Sequence, residues 1–167
     1  MACSHTSAPE MVLNASLASH WGDRATGSLA LPAFDENPWV RRVPPMEFEA
    51  FQAFLADQHV VLDLFDETEE RRLAMVTRTV VALASGTPVI HPPFTEVSPL
   101  LDRYEAGWLI DPGDTEGLAS VLDALASDRE QLRIRSANAK RLWVENFEPA
   151  IAARAMADLL VSLEVQR

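Results

Sequence analysis

The chain carries several polar residues whose types and spacing suit a charged ligand. Asp66-Glu67-Thr68-Glu69-Glu70-Arg71-Arg72 stands where an apolar run hands over to a helical pattern. Free backbone amides and the helix dipole favour a bound anion at such a start. Arg71 and Arg72 attract a phosphate, while the neighbouring carboxylates oppose one. Acidic residues in a first turn followed by arginine also stabilise a helix without any ligand, and both readings stay open. On one continuous helix Arg71 and Arg78 share a face, and Arg72 and Thr79 share the adjacent one, giving either a ligand-facing strip or solvated surface. His91 is the one histidine of four expected at a strand's carboxyl end, and Glu96 closes the loop that follows it.

Other chemistries find no support. The sequence has no zinc-type histidine pair, no GxSxG nucleophile elbow, no Walker loop and no GxGxxG fingerprint. Cys3 is the only cysteine, so a disulfide framework is excluded and a reducing cytoplasm is the expected setting. No metal site and no cofactor are expected. Trp108 and Trp143 fit core positions and take no ligand role.

The elements that position these residues follow from hydrophobic periodicity. Met46–Asp57 reads as a helix through Phe48, Phe51, Phe54 and Leu55. His59–Phe65 is a nearly continuous apolar run, the pattern of a strand covered on both faces. Thr68–Ala84 follows as a helix with Asp66 or Thr68 as cap and a stripe of Leu73, Val76, Val80, Leu83 and Ala84. Thr87–Ile90 and Gly107–Ile110 read as further buried strands, with a short helix over Glu96–Tyr104 between them. Pro112 and Gly113 suit the second and third positions of the turn Asp111–Asp114. Helices over Thr115–Ala126, Asp128–Val144 and Pro149–Leu163 complete the chain. Strands alternating with helices imply a parallel α/β sandwich of Rossmann-like form. Residues 1–37 show no sustained period and read mostly as loop, with Trp39–Val43 as a short strand, so the domain is expected to span residues 38–167.

With 48% hydrophobic and 23% charged residues, the 167-residue chain has the composition of an ordinary globular protein. It can bury a core without covalent help. Acidic residues outnumber basic ones by 25 to 14, and the formal charge of −11 opposes nucleic acid as a partner. No apolar run approaches the roughly 20 residues of a membrane span.

Three segments, VALASGTPVI, TEVSPLLDRYEAGWLIDPGDTEGLASVLDALASD and REQLRIRSANAKRLWVENF, closely resemble the C-terminal, nucleotide-sugar-binding lobe of two-lobe (GT-B) glycosyltransferases of the family 4 type. The resemblance runs from about Val60 to Leu160. Its most specific pieces are Gly86-Thr87-Pro88-Val89-Ile90, Glu96 ahead of Glu105-Ala106-Gly107, and the Asp111-Pro112-Gly113-Asp114 turn. DLFDETEERRLAMVTRTV is similar to a subgroup among bacterial surface-polysaccharide enzymes.

The resemblance implies a glycosyltransferase donor lobe that binds a nucleoside diphosphate sugar and passes the sugar to an acceptor held by another lobe. The family's paired glutamates fall here at Leu73 and Val81, with Glu69 or Glu70 as substitutes for the first. The acceptor lobe and the glycine-rich opening strand have no counterpart, so a truncated product, a fragment or one piece of a split enzyme is expected. A noncatalytic binding or scaffold module of the same fold is the alternative. The implied donor site takes Thr68, Glu69, Glu70, Arg71, Arg72, Arg78, Thr79, His91 and Glu96, at the strands' carboxyl ends. Pro149–Leu163 is expected to pack back across the domain, or else to drive self-association through an exposed patch.

Overall fold

A computed structural model describes residues 11–14, 38, 40–44 and 46–165. Cys3, His5, His20, Trp39 and most of residues 1–37 lie outside the described residues. The chain divides into two compact units, Met1–Phe51 and Gln52–Arg167.

In the first unit, β1 (Met11–Asn14) pairs in parallel with β2 (Val40–Val43), Met11 opposite Val40 and Asn14 opposite Val43. This strand falls within residues 1–37, most of which were expected to be loop. Four residues are too few to show a period, and their strand character comes from pairing with β2. Helix α1 (Phe48–Ala56) begins in this unit, shortly after Pro44 and Pro45.

The second unit holds a three-stranded parallel sheet in the order β3 (Val61–Leu62), β4 (Val89–His91), β5 (Gly107–Leu109). Val61 is opposite Val89, Val89 opposite Gly107, and His91 opposite Leu109. The expected fold class, a parallel sheet flanked by helices and compatible with a Rossmann-like architecture, is present. Between β3 and β4 lie α2 (Glu69–Leu73) and α3 (Thr77–Ala84), and α4 (Ser98–Tyr104) links β4 to β5. Helices α5 (Thr115–Ser127), α6 (Arg129–Asn146) and α7 (Pro149–Val165) follow.

Alternation along β4 sends Val89 and His91 to one face and Ile90 to the other. Ile90, Ile110 and Leu125 form a cluster that Leu118 and Val121 of α5 and Leu132 of α6 cover. Leu83 of α3, Leu101 of α4 and Leu142 of α6 are fully buried as well. Loops are tied down at defined points. Thr87 Oγ1 donates to Leu55 O at 2.7 Å inside the core, and Ser136 Oγ donates to Gly86 O at 2.6 Å. Gly86 has φ +78°, so the turn from α3 into β4 uses a conformation that costs other residues strain. Asp114 caps α5 by accepting from Gly117 N at 2.8 Å, and Gly113 takes φ +81° in the preceding turn, as its Pro-Gly pair requires.

Three expectations are corrected. The run His59–Phe65 forms a ladder only at Val61–Leu62, and Leu62 is 48% exposed because β3 is an outer strand of this sheet. The helix expected over Thr68–Ala84 is two helices. Ala74 is extended at ψ 132° and Val76 sits at φ −80°, ψ 75°, so the intervening residues leave the helical region and expose Leu73 and Met75. Finally, the expected packing of the last helix back across the domain is not seen at its described large apolar side chains: Ile151, Met156, Leu159, Leu160 and Val161 of α7 are exposed. Periodicity alone reports a stripe, not the surface that covers it.

Candidate functional site

Beyond the last ladder residue of β3, Asp63 N donates to Ile90 O at 3.0 Å and draws the side chain inward. Its carboxylate is only 6% exposed, which costs free energy unless every oxygen is bonded. Both are. Oδ1 accepts from Nε of Arg78 at 3.0 Å and is ion-paired with Nη2 of the same guanidinium, also at 3.0 Å, and Oδ2 accepts from Thr79 Oγ1 at 2.7 Å. Arg78 and Thr79 sit in the first turn of α3, so these bonds dock the start of that helix onto the end of β3. No side chain caps that start.

The network continues into β4. Thr79 Oγ1 lies 3.2 Å from His91 Nδ1, and His91 Nε2 lies 2.9 Å from Thr95 Oγ1. Thr79 has one hydrogen and a carboxylate can only accept, so Thr79 donates to Asp63 and His91 Nδ1–H donates to Thr79. Nε2 is then bare and accepts from Thr95. This assignment follows from the bonds around the ring. Burial pushes His91 down to about 4, against the pull of Asp63, and keeps it neutral. Thr95 N donates to Ser98 Oγ at 3.0 Å, and Ser98 Oγ donates to Pro92 O at 2.8 Å, closing the loop after β4. His91, Thr95 and Ser98 are all buried.

An aromatic group lies beside the network. The Phe65 ring meets His91 edge-on at 5.6 Å and Phe94 at 5.8 Å, and the Arg71 guanidinium lies 4.9 Å from its centroid. Arg71 and Arg78, on separate helices, are therefore anchored on Phe65 and Asp63, two residues apart at one strand end. The expected strip along a continuous helix does not exist, because the chain turns between α2 and α3.

The remaining expected residues are placed as follows. Thr68 caps α2, accepting from Arg71 N at 3.2 Å. Glu69 and Glu70 are exposed in its first turn, and Arg72 is ion-paired with Glu67 in solvent. Glu96 is exposed and outside the network. The structure thus brings together Arg78, Thr79 and His91, with Arg71 beside them, and leaves Thr68, Glu69, Glu70, Arg72 and Glu96 around the rim or away from it.

Comparison with protein-family models, curated proteins and solved structures finds no match for this chain. The geometry is the ground for a functional reading.

Sequence reasoning missed Asp63, Phe65, Thr95 and Ser98. One signal was available for Asp63: a single charge inside an apolar run needs a buried partner. Two cavities, of about 280 and 240 Å³, lie toward the amino ends of the strands, the first against Gly107, Trp108 and Arg135, the second against His59, Arg129 and Arg133. Arg135 stacks 4.5 Å over Trp108 and gives Nη1 to Gly107 O at 2.6 Å, so that end serves to hold α6 on β5. Among the described residues no group of three His, Cys, Asp or Glu side chains is arranged to hold a metal ion, and no helix is long and apolar enough to cross a membrane.

Proposed function

We propose that the chain is the donor-binding lobe of a GT-B glycosyltransferase of the family 4 type, working in bacterial surface-polysaccharide or other glycan synthesis. One observation carries the reading: the carboxyl ends of adjacent parallel strands β3 and β4 meet the uncapped start of α3, with Arg71 and Arg78 anchored beside it. Open parallel sheets bind ligands at this edge, and a helix start with arginines suits a diphosphate. In a sugar transfer the departing diphosphate gains negative charge, and preorganised donors at that position lower the barrier. Of the residues that carry the family resemblance, those after β4 serve this edge, while Gly86 lies at the opposite, amino end of the strands. Gly86 turns α3 into β4, and the segment from His91 to Ser98 forms the loop above it. The acceptor is held by a lobe outside these residues, and the setting is cytoplasmic.

Calorimetric titration with uridine, guanosine and adenosine diphosphates and their sugar conjugates tests the reading. A nucleoside diphosphate is expected to bind, with NMR shifts at Asp63, Arg78 and His91. Shifts confined to the Trp108 or His59 cavities place the ligand at the wrong end of the sheet and defeat the proposal.

A specific observation also favours a noncatalytic binding or scaffold module. The exposed Met156, Leu160 and Val161 of α7 give the helix an apolar surface. Self-association by light scattering, with no nucleotide affinity, is the result that this reading requires.

A further inference from the structure

We infer that Asp63 and Arg78 form one anion grip, in which Arg78 meets the ligand's phosphoryl oxygens and buried Asp63 is the positioning residue that aims it. The inference rests on the donor-lobe reading and deepens it, because it names the residue that holds the cation in place for the diphosphate.

The three adjacent-helix arginines differ in what already holds them. Arg72 is engaged by Glu67, and both side chains of that pair stand largely in solvent. Arg71 lies over the Phe65 ring, a contact that leaves its N–H donors unspent. Arg78 is held through Nε, which donates to Asp63 Oδ1, with Nη2 3.0 Å from the same oxygen. That bond restrains the guanidinium, and among the described residues none accepts a hydrogen bond from Nη1 or Nη2. The pair is also asymmetric. Asp63 is 6% exposed whereas the Arg78 side chain is 43% exposed, so an approaching anion meets the cation and not the carboxylate.

The other carboxylate oxygen points inward to Thr79, and through it to His91. Asp63 is therefore held from behind and cannot swing out to compete with a ligand. An arginine restrained in this way has already lost the rotamer freedom that binding would otherwise remove. Arg71, anchored two residues further along the same strand end, supplies a second guanidinium. Two such groups at one edge suit two linked phosphoryl groups better than one. Guanidinium forks match phosphate oxygens geometrically, which an ammonium group does not.

The test uses the full chain and four variants, titrated by calorimetry with uridine, guanosine and adenosine diphosphates and with inorganic pyrophosphate, thermal unfolding being followed in parallel. Arg78→Ala is expected to weaken binding about tenfold or more, the loss of charge-assisted hydrogen bonds. Arg72→Ala is expected to change it less than about twofold, as for an exposed pair. Asp63→Asn gives the decisive sign. Removing a negative charge beside an anion site tightens binding if Asp63 merely neutralises Arg78, but weakens it several-fold if Asp63 aims the guanidinium. Arg78→Lys keeps the charge without the fork and is expected to weaken binding too, which holds the test open should Asp63→Asn unfold. Undiminished binding in Arg78→Ala or Arg78→Lys, or tighter binding in a folded Asp63→Asn, overturns the grip and leaves the donor-lobe reading standing. Pyrophosphate binding that depends on Arg78 without any nucleoside preference supports the grip and overturns the nucleotide reading. A wild-type chain that binds none of these probes overturns both.

Discussion

Gly107 lies against the Val89 carbonyl so closely that a Cβ at residue 107 would overlap Val89 O and stand 3.1 Å from Val89 Cγ2. The two residues are register partners on β5 and β4, so the sheet itself sets this approach. Glycine is required here for space and not for a special backbone angle. Gly107→Ala is expected to destabilise the fold by about 2–3 kcal/mol, the cost of overpacking a close backbone contact. Urea unfolding checks this, and a midpoint equal to wild type refutes the contact.

Thr79 is the hinge of the buried network, since its hydroxyl joins Asp63 Oδ2 to His91 Nδ1. Thr79→Val keeps the shape and removes both bonds. A buried carboxylate oxygen and a ring N–H are then left unpaired, and a loss of about 2–4 kcal/mol is expected. A valine variant as stable as wild type in chemical unfolding shows that water replaces the hydroxyl.

His91 gives the protein a defined pH response. Its folded value is lowered to about 4 by burial, which outweighs the attraction of Asp63, with Arg78 adding to the lowering. The unfolded chain takes up the proton near pH 6.5, the folded chain only near 4. Between those values the unfolded state binds more protons, so stability falls as pH is lowered, by at most about 1.4 kcal/mol per pH unit, and the loss levels off below 4. His91→Asn removes this dependence. The stability difference between wild type and variant, followed by thermal unfolding from pH 7 to about 4, is expected to shrink as pH falls; a constant difference contradicts the neutral, buried assignment.

Arg72 and Glu67 form a solvent-exposed pair on the approach to α2. Such pairs contribute little, because solvent screens them and two long side chains must be ordered. Arg72→Ala is expected to leave unfolding free energy within about 0.5 kcal/mol of wild type. A larger loss by urea titration means that Arg72 does more than meet Glu67.

The sequence by itself determined the parallel strands and their order of appearance, the Pro112-Gly113 turn, the Gly86 turn and the helical character of α4 to α7. These are local properties: apolar runs, turn chemistry and caps act over a few residues, and neighbouring choices agree. His91 was legible as a strand-end residue for the same reason. The break between α2 and α3 was not, since no proline or glycine marks Ala74–Val76. Tertiary anchors decide it: Arg71 settles on Phe65 and Arg78 on Asp63, and one straight helix is not what forms. The site itself belongs to the same class. Asp63, Thr79, His91 and Thr95 come from just beyond β3, from α3, from β4 and from the loop after it, and only sheet pairing at Val61–Val89 brings them within hydrogen-bond reach. A buried carboxylate is stable only when its partners are in place, and those partners are fixed by packing between elements, which hydrophobic periodicity does not encode.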